Sequence, residues 1–428
     1  MINQRYVFIE RKLYSLNEYH SILNIKSFPN DIYKIEGSSF QFIITGFIIV
    51  NDKPIIIFPK NYSKPETDET LKAEIILLLK VIMKYRTERI HIPEELKLLI
   101  GDDNHNSTKI VSALAIIEDY LSYGVIRKES IHINDCVAGF TDWNKTINKG
   151  TPIISHRQVL YPNPIKRRRV IDNNNIVTQI HKYIISMCIN TWGWIFDIEN
   201  MFEGVDCPCE DERMLRILNN ELSKTFIERE IYLIKHLIQY INATTGTKNN
   251  YSFYTMATPY FSLVWESICS YIYSNDYIKL SKWVAQPRWE GPAVPKTISQ
   301  KPDILFVENS IFFILDAKYY DYNKKMPGWH DIVKQLFYKV TIERKIKKNK
   351  VPNIKSYENI LVFPETASID FKYLGKVYVD KDDELGEVKA IAINSKRAME
   401  AYVYGDDFEY RNELLRWVMD LRENKVNP

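Results

Sequence analysis

The chain has 428 residues, 45% of them apolar, with 28 Tyr and 19 Phe to fill a core; a disordered protein is excluded and two or three domains are the natural division. The formal charge of +3 is too small for the bulk field to steer nucleic acid, so any such contact must come from local patches. Five Cys, an odd number with no export signal ahead of them, point to reduced thiols in a cytoplasmic protein.

Near the N-terminus, FQFIITGFIIV and PIIIFPK read as two strands of a hairpin around NDK. The first run is interrupted by Asn51, Asp52 and Lys53, and no run of about eighteen apolar residues exists, so no membrane association is expected. Pro65, Glu66, Asp68 and Glu69 then open a helix that LKAEIILLLKVIMKYR continues, acids early and bases late as the macrodipole favours. A second helix is expected from Ser107, as N-cap, to Gly124. Residues 1–130 are therefore read as an α+β domain that contacts DNA or a partner.

The region 131–250 is expected to be mainly helical, with helices over 176–189 and 210–241, and it closes in the polar run NATTGTKNN, the best candidate linker. Within it, Lys166, Arg167, Arg168 and Arg169, with His156 and Arg157 shortly before, form the densest basic cluster. Four adjacent cations repel one another unless an anion is near, which makes them candidate DNA-phosphate contacts; a solvated loop is the competing account. A second cluster, Arg344 to Lys350, is explained in part by its place at a helix C-terminus. Cys207 and Cys209 lack a second Cys or His pair, and the His residues show no HExxH spacing, so zinc is not expected. No GxxxxGK[ST] occurs, so this chain is not expected to hydrolyse nucleotide by a P-loop mechanism.

Residues 251–428 read as helix, β-hairpin, helix, three strands and a last helix, a mixed α/β core. The hairpin KPDILFVENSIFFILDAKYY carries the chemistry. Side chains alternate faces along a strand, so Asp316 and Lys318 point the same way and Ala317 the other. Asp303 opens the partner strand. Two carboxylates and an ammonium in an apolar strand pair are costly unless something balances them, and hard oxygen ligands of this kind suit Mg2+, with Mn2+ as the alternative ion. Asp303 and Asp316 are the expected metal ligands, and Lys318 the catalytic cation that orients the attacking water or offsets charge on the phosphorane.

Pro302–Asp303, twelve intervening residues, then Asp316, Ala317 and Lys318 resemble the PD-(D/E)xK nuclease core. That resemblance implies a restriction-endonuclease-like domain over 251–428. It also implies supporting roles for Glu266, a third metal ligand from the helix before the hairpin, and for Gln335, on the helix after it. Gly139, Trp143, Thr146, Ile147, Pro152, Tyr161 and the Ile180–His181 pair resemble, in that order, the central segment of McrC-type restriction subunits, and more closely that of the LlaJI restriction endonuclease family. The resemblance covers most of the chain. It implies the cleaving subunit of a restriction (phage-defence) system, acting on double-stranded DNA beside a McrB-like AAA+ GTPase motor. One metal site cuts one strand, so double-strand cleavage needs a homodimer or two passes. Two alternatives stand: a non-catalytic adaptor that keeps the nuclease fold, and a repair or transposition nuclease on the same core.

Overall fold

A computed structural model describes residues 6–19, 32–50, 53–65, 67–88, 104–133, 139–155, 158–172, 174–196, 198–202, 204–245, 253–288, 300–351, 353–365, 371–382, 384–405 and 408–422. The chain forms two compact units, Met1–Asn104 together with Tyr251–Pro428, and His105–Asn250. Helices and strands are mixed in both. No helix among the described residues is long and apolar enough to cross a membrane.

The first unit joins the N-terminal hairpin to the C-terminal half through a shared sheet. Thr45–Val50 pairs antiparallel with Lys53–Phe58, as the two apolar runs predict, while residues 51 and 52 of the NDK turn lie outside the described residues. The other edge of Thr45–Val50 pairs with Phe253–Thr258, some two hundred residues away in sequence. Gly46 makes that pairing possible: at φ +138° a Cβ would stand 2.3 Å from the Met256 carbonyl oxygen. Val7–Ile9 lies parallel to Lys53–Phe58 and completes the sheet. The helix Asp68–Glu88 follows and is tied to the helix Ser395–Tyr404 by Lys396 on Glu74 at 3.0 Å.

A five-stranded mixed sheet occupies the C-terminal half, in the order Ile304–Glu308, Ile311–Ala317, Ser356–Glu365, Glu387–Asn394, Phe371–Tyr378. The three central strands are parallel to one another and the two edges antiparallel, which explains why ILVF and AIAI read as continuous apolar runs: both faces are covered. On one face Phe312 and Ile314 pack with Tyr338, Ile342 and Ile346 of the helix Trp329–Lys348. On the other, Phe313 stacks on Phe306 at 4.5 Å and Phe306 on Tyr273, just past the helix Phe261–Ile272. The order of helices and strands read for this half is found, with two differences: the helical run over 258–280 is Phe261–Ile272 followed by the separate turn Tyr277–Leu280, and Ser395–Tyr404 is a further helix between the last strand and Phe408–Arg422.

The second unit holds the helices Asn104–Tyr123, Ile176–Phe196, Asp211–Leu222 and Glu228–Thr245. The first begins before Ser107, so that residue lies inside the helix, and it ends as expected before Gly124 at φ +72°. The single helix expected over 210–241 is two, parted at Ser223–Ile227. The start of the expected linker, Asn242 to Thr245, continues the last of these helices, and 246–250 lies outside the described residues. Among the described residues five strands and the short helix Trp143–Lys149 accompany these helices. Several of the family-like positions here are structural. A Cβ on Gly139 would meet the Arg167 carbonyl oxygen at 2.7 Å, and buried Thr146 donates to the Asp142 carbonyl and accepts from the Ile165 N–H. His181, fully buried, accepts the Ile126 N–H on Nδ1 at 3.1 Å.

Candidate active site

The antiparallel register Ile304↔Leu315, carried one residue further, sets Asp303 opposite Asp316. Both continue the stripe formed by Leu305, Phe312 and Ile314, so they face the helix Trp329–Lys348 where the apolar surface ends. Asp316 is buried, 3% exposed, while Asp303 is half-buried. Asp303 Oδ2 accepts the Ala317 N–H at 3.0 Å. Burial first, then the charges of Asp316 and Glu266, push the Asp303 carboxyl up to about 7 against the opposing Ala317 N–H and Lys334. These are the marks of negative groups crowded into one small volume.

Lys318 Nζ stands 2.6 Å from Asp316 Oδ2 and donates to Asp331 Oδ1 at 2.7 Å. Burial works to lower the Lys318 pKa, but Asp316 and Asp331 outweigh it and raise it above the ordinary lysine value. Lys318 is thus held as a cation in this arrangement. Lys334 Nζ lies 3.6 Å from Asp316 Oδ1 and 5.6 Å from the centre of the Tyr338 ring. Gln335 is 1% exposed, so it is no helix-surface amide, and both of its side-chain polar atoms are buried without a hydrogen-bond partner. Beyond its ion pair, Asp316 Oδ2 likewise accepts no hydrogen bond.

A family model described as LlaJI restriction endonuclease matches residues 44–396. The chain belongs to the LlaJI restriction endonuclease family. It is 26% identical over 425 residues to the Type II restriction enzyme BsuMI component YdjA of Bacillus subtilis (strain 168), a match that spans 92% of this chain and 87% of the relative. Among solved structures, a chain in an assembly of Thermococcus gammatolerans McrB AAA+ hexamers with bound McrC matches with a TM-score of 0.39 and 12% identity, over 96% of this chain and 99% of that one.

In this LlaJI family member, Asp303, Asp316, Lys318 and Gln335 come from adjoining strands and one helix, and half-buried Glu266 is near enough for Asp303 to feel its charge. Asp331 and Lys334 are part of the same cluster and were not singled out in the sequence. Their signal was there: Asp331, Lys334, Gln335 and Tyr338 fall at i, i+3, i+4 and i+7, one face of a helix. The tetrad Lys166–Arg169 belongs to the second unit. It lies on the strand Lys166–Asp172 rather than in a loop, with Arg167, Arg168 and Arg169 exposed and Arg169 3.6 Å from Glu129. His156 and Arg157 lie outside the described residues. His330 is exposed at the helix start.

The donor set fits a hard divalent ion. Two carboxylates face each other across a strand pair, one of them ion-paired with Lys318, and the neutral amide of Gln335 is buried unsatisfied on the helix they face, as a polar group waiting for a ligand is. Among the described residues no three His, Cys, Asp or Glu side chains are arranged to hold a metal by themselves. Mg2+ does not need such a cage, since it binds one or two carboxylates and keeps several waters.

Proposed function

We propose that this chain is the cleaving subunit of a restriction system, a Mg2+-dependent endonuclease that hydrolyses phosphodiester bonds of double-stranded DNA. The observation that carries the reading is the convergence of Asp303, Asp316 and Lys318 at one sheet end, in a chain of a restriction endonuclease family.

Asp303 and Asp316 hold the ion, with Glu266 close by. When bound, Mg2+ polarises the phosphate and lowers the pKa of a water. Lys318 stays protonated between Asp316 and Asp331, so it supplies positive charge to the phosphate oxygens rather than accepting a proton. Gln335 offers an unpaired amide to the water or phosphate. Lys166, Arg167, Arg168 and Arg169 contact DNA phosphates without reading sequence. The proposed partner is an AAA+ GTPase of the McrB kind, supported by the McrC-like positions from Gly139 to His181.

Calorimetric titration of Mn2+ into the full chain tests the reading. Binding that disappears in Asp303→Asn is expected; a non-catalytic adaptor would show no binding that depends on Asp303.

A further inference from the structure

The strand end that carries Lys318 has a second side. Lys318 turns to Asp316 and Asp331, while the next residue, Tyr319, reaches the N-terminal sheet of the same unit: its hydroxyl donates to Glu10 Oε2 at 2.7 Å and accepts the Lys60 N–H at 2.8 Å. Thr45 also donates to Glu10 Oε2, at 2.9 Å, and Asn61 donates to the Tyr320 carbonyl at 3.1 Å. These bonds fix the walls of a cavity of about 460 Å³.

Five cations line it: Arg11, Lys12, Lys60, Lys324 and Lys325. Two acids oppose them. Glu10 is buried and satisfied by Thr45 and Tyr319, with Arg11 3.7 Å away, and Asp321 is taken by Lys324 at 2.9 Å. Lys60 is half-buried over the Tyr319 ring, 4.5 Å from its centre, and among the described residues no carboxylate lies within ion-pair distance of Lys60 or Lys325. Arg11 and Asn61 both hold left-handed backbone, at φ 56° and 59°, a conformation that side-chain-bearing residues adopt at a cost and that gathers at binding sites. An excess of positive charge on a concave wall, with an ammonium that is partly withdrawn from water and feels the charges of Glu10 and Asp321 but lies beyond ion-pair distance of both, is a site for an anion.

We propose that this cavity is a second phosphate site, which grips the DNA backbone beside the scissile position. It rests on the nuclease reading only for the identity of its ligand. A backbone phosphate suits the wall because lysines bind phosphate as point charges without reading bases.

Binding of a short DNA duplex to the full chain is followed by fluorescence anisotropy in EDTA, from about 50 to about 200 mM salt. Lys60→Gln is expected to weaken binding several-fold, equally on duplexes of unrelated sequence, and to reduce the slope of log affinity against log salt by about 0.9. Lys325→Gln, at an exposed position that cannot disturb the core, should do the same. Lys376→Gln, on the edge strand and paired with Glu387, should change neither. Unchanged slopes in both pocket variants overturn the inference. So does a nucleoside triphosphate that binds the wild type and not Lys60→Gln while duplex affinity stays level. Cleavage is read separately: pocket variants that lose DNA affinity while Asp316→Ala still cuts sink the nuclease reading and leave the pocket standing.

Discussion

Asp303 Oδ2 accepts the backbone N–H of Ala317, so the first acid of the hairpin is fastened to the residue that separates the second acid from the lysine. That bond reinforces the strand register that sets Asp303 opposite Asp316. Its donor is backbone, and an amide oxygen can accept it as well as a carboxylate can. Asp303→Asn should therefore keep the hairpin intact while removing the repulsion from Asp316 and Glu266. In metal-free buffer above neutral pH the variant should melt at or above the wild-type temperature, and its cleavage should fall by about 1000-fold or more. A variant that melts well below wild type would show that the Asp303 charge is there for stability.

Asp331 holds Lys318 Nζ at 2.7 Å, and on the proposed nuclease reading it acts as a positioning residue through that lysine. Asp331→Asn should leave the ammonium charged and still paired with Asp316, lowering the cleavage rate about ten-fold. Lys318→Met should cost about 100–1000-fold. A split between rate and affinity checks the assignment: single-turnover rates should fall in both variants with DNA affinity within about two-fold of wild type.

Gln335 buries an amide with neither polar atom bonded, a cost of about 1–3 kcal/mol for each group left unsatisfied. Gln335→Leu removes that cost at similar volume. Its melting temperature should hold or rise while cleavage drops about 10–100-fold. A large fall in stability with cleavage intact would make the amide structural.

His181 gives the second unit a pH dependence of definite sign. Burial, the largest influence, together with Arg229 and against Asp119, lowers its pKa from 6.5 to about 4. A depressed folded-state pKa means that stability is fully present above about pH 6.5 and is lost progressively as pH falls from there to about 4, where the folded state also takes up the proton, on the order of 3 kcal/mol in all. Urea unfolding at pH 7.5 and pH 4.5 should show the loss in the wild type, and His181→Asn should show less of it. Equal losses in both would assign the acid sensitivity elsewhere.

Much of this was legible in the sequence because the signals are local. Strand alternation puts Asp316 and Lys318 on one face, the hairpin and the PD-(D/E)xK resemblance add Asp303, and the apolar runs 304–308, 311–317 and 356–365 could hardly form anything but covered strands. The joining of Thr45–Val50 to Phe253–Thr258 was not legible, since nothing in either run names its partner; only Gly46, with no room for a Cβ, hints that another backbone comes close. Asp331 and Lys334 are not legible as site residues, because a helix start rich in charge reads first as solvated surface. The break at Ser223–Ile227 carries neither Gly nor Pro, so helical periodicity ran on through it. Gly139, Thr146 and His181 read in the sequence only as positions resembling the family's central segment; the structure shows them in close backbone packing and buried hydrogen bonds.

The most direct measurement is cleavage of duplex DNA, unmodified and methylated, by purified wild-type and Asp316→Ala chains, each with Mg2+ and the proposed AAA+ GTPase partner and each confirmed folded by circular dichroism. Two acids and one ammonium acting as a metal-dependent centre predict that the wild type cuts, that EDTA stops it, and that Asp316→Ala does not cut at all. Cutting by folded Asp316→Ala at a rate near that of the wild type would contradict the account.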